Sequence, residues 1–128
     1  MAYTNFVVSG LTAYIEQSLG SVLGQKTDFF FEILLGDDCS TDETARIVQK
    51  YAEQFPRQIT AVIRPENLGA TKNFYDLITR ARGDYIAYLE GDDYWTEATK
   101  LQQQVDFLQT HPEYMGCTHK IMLVDNEG

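Results

Sequence analysis

A chain of 128 residues, 44% hydrophobic and 12% aromatic, is about one domain's worth of sequence and is too apolar and too varied to be a disordered or low-complexity polymer. Its net charge of −9, with ten Lys and Arg scattered among nineteen Asp and Glu, leaves no basic patch for a nucleic-acid backbone. A polyphosphate ligand would need a divalent cation to invert the local sign of charge.

The chain opens on a strand-like FVV, and SGLT leads almost directly into a helix over Ala13–Leu23, where Tyr14, Ile15, Leu19, Val22 and Leu23 recur at helical spacing. The apolar run Phe29–Leu35 is of strand type. In GDDCSTDET, Ser40 and Glu43 stand in capping-box relation, and Ala45, Ile47, Val48, Tyr51, Ala52 and Phe55 form a helical stripe stopped by Pro56. Ile59–Ile63 reads as a strand, Pro65–Gly69 as a turn, and residues from about Ala70 to Ala81 as a helix closed by Gly83. Tyr85–Leu89 is a further strand, Thr96–Thr110 a helix stopped by Pro112, and Tyr114–Val124 one more strand. Alternating strands and helices predict an α/β fold, a Rossmann-like open, mostly parallel sheet with helices on both faces, across residues 1–128 as a single domain. No apolar run reaches the roughly 18 residues of a membrane span, and the N-terminus lacks a basic segment before its apolar stretch, so a cytoplasmic chain is expected. Cys39 and Cys117 have no CxxC spacing and build no closed zinc site.

Ligands of open α/β sheets sit beyond the carboxyl ends of the strands, and two strands end there in acidic clusters. One is ILLGDD, with Asp37 and Asp38; the other is YLEGDDYW, with Glu90, Asp92 and Asp93. Glu90 and Asp92 flank a glycine, Gly91, that lets the backbone bend so that both carboxylates face one space, and such oxygen ligands suit Mg²⁺ or Mn²⁺. A solvated acidic turn, with Asp93 or Thr96 capping the next helix, is the alternative. Capping explains Ser40 to Glu43 but not Asp37 and Asp38, whose carboxylates could accept from a nucleobase N–H. Lys72, on the first turn of its helix, is either a surface lysine or a group reaching a phosphate. Tyr94 and Trp95 either stack on a sugar or pack into the interior. His111 and His119 have no partners at ligand spacing.

Taken together, YIEQSLGSVLGQ, FEILLGDDCSTDET, RPENLGATKNF, ARGDYIAYLEGDDYW and TKLQQQVDFL resemble, in order and spacing, the family-two glycosyltransferases, inverting sugar-nucleotide enzymes of GT-A fold. The resemblance covers about Ala13 to Leu108. It implies that Asp38, with Asp37 beside it, binds the base of the nucleotide, usually uracil. By the same resemblance Lys72 contacts the donor, and Glu90, Gly91 and Asp92 form the acidic motif, with Asp92 the direct ligand of Mn²⁺ or Mg²⁺ and Glu90 facing the ribose or the metal. Asp93 and Trp95 are candidates for the sugar site. The implied partners are a nucleotide-sugar donor, by preference a UDP-sugar, and a saccharide or lipid-linked acceptor, with polysaccharide synthesis as the setting. Peripheral membrane association and a homodimer are both compatible with it.

The chain departs from the family pattern twice. The family's first strand ends in a loop that embraces the base, whereas here strand and helix are nearly joined, with Thr12, Ala13 and Tyr14 as a remnant. The family's catalytic base and acceptor region lie beyond the acidic motif, so the chain reads as the donor-binding half of a longer enzyme, with the acceptor half absent. Two alternatives compete: a non-catalytic nucleotide-binding or oligomerisation module of the same fold, and a response-regulator receiver domain. The receiver requires a lone phosphoacceptor Asp where this chain has EGDD.

Overall fold

The computed structural model describes residues 2–8 and 12–125, in which strands and helices alternate throughout. The elements are β1 (Ala2–Val8), α1 (Thr12–Leu23), β2 (Phe31–Asp37), α2 (Thr44–Gln54), β3 (Ile59–Ile63), α3 (Ala70–Arg80), β4 (Tyr85–Glu90) and α4 (Lys100–Thr110). The four strands form one sheet in the order β3-β2-β1-β4, and every neighbouring pair is parallel.

Strand order decides where the helices lie. The steps from β1 to β2 to β3 run one way across the sheet, whereas the step from β3 to β4 passes back beyond β1. Right-handed crossovers therefore put α1 and α2 on one face and α3 on the other. Packing agrees: α1 meets α2, α2 lies on β2 and β3, and α3 lies on β1 and β2. On the first face Ile15, Leu19 and Val22 of α1 join Phe31, Ile33 and Leu35 of β2, Val48 of α2, Ile59, Leu89, Trp95 and Leu101 in one core. Each buried aliphatic side chain there contributes about 1.5–3 kcal/mol over its exposed state, which is why these positions set the helix faces.

Every residue of β2 is buried, as expected of a central parallel strand covered on both sides. On the α3 side the fit is close. A Cβ on Gly36 would lie 2.6 Å from Leu77 Cδ1 and 2.8 Å from Asn73 Oδ1, so only glycine lets α3 approach the sheet this closely. The fully buried Asn73 donates to the Gly36 carbonyl at 3.4 Å and accepts from Arg64 Nε at 3.1 Å. Arg64 and Arg80 both donate to Asp76, at 2.7 and 2.8 Å, and these hydrogen bonds hold the Asp76 carboxyl below its ordinary range.

Four local expectations are corrected. The strand read from Phe29 begins at Phe31, because Phe29 lies in a bend where its carbonyl accepts from Thr27 Oγ1 at 2.6 Å. The capping box does not form: Ser40 donates through both N and Oγ to the Asp37 carboxylate, and Asp42 takes the Thr44 N–H at 2.9 Å instead. Helix α4 begins at Lys100 rather than Thr96, after a turn in which Glu97 accepts from Thr99 N and Oγ1. Tyr114–Val124 is no strand. A strand persists where its amides find a neighbouring ladder, and among the described residues this stretch pairs with none while Met115, Ile121, Met122 and Leu123 stand exposed. The short loop between the first strand and helix falls on residues 9–11, outside the described residues. No helix among the described residues is long and apolar enough to cross a membrane.

Candidate functional site

Strand β1 runs between β2 and β4, and strand order reverses beside it. Val8 is in register with Asp37 on one side and Val7 with Glu90 on the other. Both acidic clusters thus emerge at the same end of the sheet, flanking the crevice where open α/β sheets hold ligands.

The cluster after β2 is internally satisfied. Asp37 is 1% exposed and Asp38 4% exposed. Asp37 accepts from Ser40, and Asp38 accepts from the backbone N–H groups of Leu68 and Gly69 at 2.7 and 2.9 Å. Gly69 caps α3 with φ +88°, a conformation that disfavours other residues, and its N–H also meets Asn67 Oδ1 at 2.8 Å. Asp38 therefore ties the Pro65–Gly69 turn to the end of β2 and sets where α3 begins. Lys72, two residues into α3, is exposed and has no side-chain partner among the described residues.

The cluster after β4 is the opposite. Glu90, Asp92 and Asp93 are exposed, and one carboxylate oxygen from each lies within 4.8 Å of the others. The chain turns tightly here, with Asp93 N donating to the Glu90 carbonyl at 3.1 Å and Gly91 buried beneath. Partial burial, then the charges of Asp92 and Glu90, pushes the Asp93 carboxyl up. Two negative charges about 5 Å apart repel by roughly 1 kcal/mol in water and by roughly 3 at an effective dielectric of 20. Tyr88 donates to Glu90 Oε1 at 3.1 Å, and burial foremost, with the three carboxylates adding, pushes its hydroxyl up to about 12. The donor set is all hard oxygen. Ligand oxygens around an octahedral Mg²⁺-sized ion lie about 3–4 Å apart, so small rotations of exposed side chains fit the trio to such an ion.

Helix α1 and the residues that follow it fasten this loop from below through side chains that sequence reading passed over. Ser18 Oγ donates to the Glu90 carbonyl at 3.3 Å, and Ser21 Oγ accepts from Trp95 N at 3.0 Å. Gln25 donates to the Glu97 carbonyl at 2.7 Å and accepts from Leu101 N at 3.0 Å, and Lys26 N meets the Ala98 carbonyl at 2.7 Å. Ser18 and Ser21 share a face of α1, and Gln25 lies just past the end of that helix. The signal available was a polar triplet at that spacing beside the apolar stripe.

Trp95, a candidate for sugar stacking, lies in the core at 7% exposure, and its Nε1 is buried with no partner among the described residues. Lys100 Nζ sits 4.1 Å from the centroid of its ring and donates to Gln104 Oε1 at 2.7 Å, and burial lowers the lysine to about 8. Asp93, the other candidate for the sugar site, lies in the acidic trio.

A family model described as glycosyl transferase family 2 matches residues 11–127. The chain belongs to that family. An uncharacterised protein of Mycobacterium tuberculosis is 41% identical to this family-2 chain over 115 residues, 90% of the chain and 33% of the relative. Among solved structures, Staphylococcus aureus TarS 1–349 in complex with UDP-GlcNAc superposes with a TM-score of 0.75 at 28% identity, over 88% of this chain and 32% of that one. The mannosyltransferase PcManGT from Pyrobaculum calidifontis, in complex with GDP-Man and Mn²⁺, superposes with a TM-score of 0.70 at 24% identity, over 82% and 32%. The fold is that of the GT-A glycosyltransferases, as the family resemblance implied. The chain spans about a third of the length of the curated relatives it matches first.

Proposed function

We propose that this chain carries the donor site of a glycosyltransferase, one that takes a nucleoside-diphosphate sugar, by preference a UDP-sugar, through a divalent cation. The observation that carries the reading is the trio Glu90, Asp92 and Asp93, exposed and convergent at the strand-order reversal. Two structural neighbours support it by the ligands they hold, UDP-GlcNAc in TarS and GDP-Man with Mn²⁺ in PcManGT. Glu90, Asp92 and Asp93 would hold Mn²⁺ or Mg²⁺, and a cation so held supplies Lewis-acid neutralisation of a diphosphate leaving group.

The rest of the site belongs to the chain. Asp38 holds the Pro65–Gly69 turn, which presents the first turn of α3 and the exposed Lys72 toward the same end of the sheet. Lys72 is suited to a donor phosphate, while Asp37 and Asp38, buried and engaged by Ser40, Leu68 and Gly69, shape this end of the site from beneath. Inverting transfer to a saccharide or lipid-linked acceptor, in the cytoplasm and in polysaccharide synthesis, completes the proposal. TarS supports a polymeric acceptor by its name, a poly(ribitol-phosphate) β-N-acetylglucosaminyltransferase.

The test is calorimetric titration of UDP and of GDP into the chain with and without Mn²⁺, beside Asp92→Ala. UDP binding that needs Mn²⁺ and disappears in Asp92→Ala is the expected result. Affinity indifferent to both metal and Asp92 would defeat the cation-mediated reading. A binding module without turnover is the second reading, marked by metal-dependent UDP affinity without sugar transfer.

A further inference from the structure

The carboxylate of Glu90 is exposed, and an exposed glutamate has several rotamers available. Something in the fold selects one. Along β4, Ala87 and Leu89 face the core shared with α1, while Tyr88 and Glu90, two residues apart, lie on the opposite face. There Tyr88 Oη donates to Glu90 Oε1 at 3.1 Å. The Tyr88 ring is itself held: Phe74 of α3 meets it edge to face, with centroids 4.7 Å apart and planes at 72°. Phe74 follows directly on Asn73, which is locked to Gly36 and Arg64. A rigid helix thus steers an aromatic ring, and the ring aims one hydroxyl at one carboxylate oxygen.

Packing does not account for that hydroxyl. Tyr88 is 44% exposed, and a phenylalanine would keep the same contact with Phe74. We infer that Tyr88, braced by Phe74, is a positioning residue that fixes the Glu90 side chain for cation capture, engaging Oε1 and leaving Oε2 to the ion. The inference rests on the reading of Glu90, Asp92 and Asp93 as the cation site. It also links α3, which carries Lys72, to the acidic trio through Phe74, Tyr88 and Glu90.

The experiment measures the Mn²⁺ dissociation constant of the full chain by electron paramagnetic resonance of the free ion, for wild type, Tyr88→Phe, Glu90→Ala and the double variant. Tyr88→Phe is expected to weaken Mn²⁺ binding about tenfold, the low end for residues that orient metal ligands, with its denaturation midpoint unchanged. In the Glu90→Ala background the same substitution should have no effect, because the side chain it orients is gone. Wild-type affinity in Tyr88→Phe overturns the inference while leaving the cation site standing. An undiminished tenfold loss in the double variant also overturns it, since the effect would not pass through Glu90, and this comparison decides the matter even if Tyr88→Phe lowers stability. A folded wild type that takes up no Mn²⁺ removes the cation site and the inference together.

Discussion

The loops after β2 and β4 look alike on paper, each a strand that ends in Gly and paired aspartates, yet they are built on opposite principles. After β2 the carboxylates are buried and their charge is spent on hydrogen bonds from Ser40, Leu68 and Gly69. After β4 three carboxylates stand exposed and crowded, and the polar groups beneath them on α1 bind the backbone rather than the charges. Negative charge at a strand end is thus either a fastener for a neighbouring loop or a demand for an external cation. What separates the two is whether backbone N–H groups point at the carboxylate.

The sharpest way to break this contrast is to remove one carboxylate from each loop. Asp38→Ala strands two N–H groups that a charged acceptor satisfied and should cost about 3 kcal/mol, read as a lower urea midpoint at unchanged slope. Asp92→Ala should change metal-free stability by no more than about 0.5 kcal/mol. Equal costs in the two variants would erase the distinction.

A smaller effect tests the support under the β4 loop. Gln25→Ala removes the acceptor of the buried Leu101 N–H and a donor to the Glu97 carbonyl, and should cost about 2 kcal/mol. A cost below about 0.5 kcal/mol, the range of an ordinary surface substitution, would show that Gln25 does not hold that loop.

The smallest effect is one of pH. Burial lowers Lys100 to about 8 from its ordinary 10.5, so the folded chain gives up this proton before the unfolded chain does. Stability contributed by this group therefore rises with pH between those values and is flat below about 8. Lys100→Met should be the more stable protein at neutral pH, with its advantage in thermal midpoint shrinking as pH climbs from 8 toward 10.5. A constant gap across that range would mean that the ammonium is not disfavoured beside Trp95.

Much of the fold was legible because periodicity reports burial directly. Ile15, Leu19 and Val22 mark the inner face of α1, and the β-branched run of β3 marks a strand, whatever surrounds them. Local chemistry that has rivals was less legible. Ser40 has the spacing of a cap, but a buried carboxylate three residues earlier is the stronger partner. The apolar letters of residues 114–124 suit a strand, but a ladder needs a neighbour. At the site, the two acidic ends were found because both follow strands. Their difference was hidden because the groups that satisfy Asp38 lie about thirty positions away, at Leu68 and Gly69. The supports at Ser18, Ser21 and Gln25 were hidden for a similar reason, since polar residues on and just after a helix read as solvent-facing until a loop some 72 to 76 positions distant is laid across them.

The hydrogen bonds from α1 and Gln25 to the 90–101 stretch have a thermodynamic consequence for ligand capture. Backbone ordering costs entropy wherever it occurs, about 1–2 kcal/mol per residue. Here the stretch from Glu90 to Leu101 is ordered while the core assembles, by contacts that no ligand supplies. An arriving ion meets like charges already gathered and has only side-chain rotamers left to fix, so more of its attraction survives as affinity.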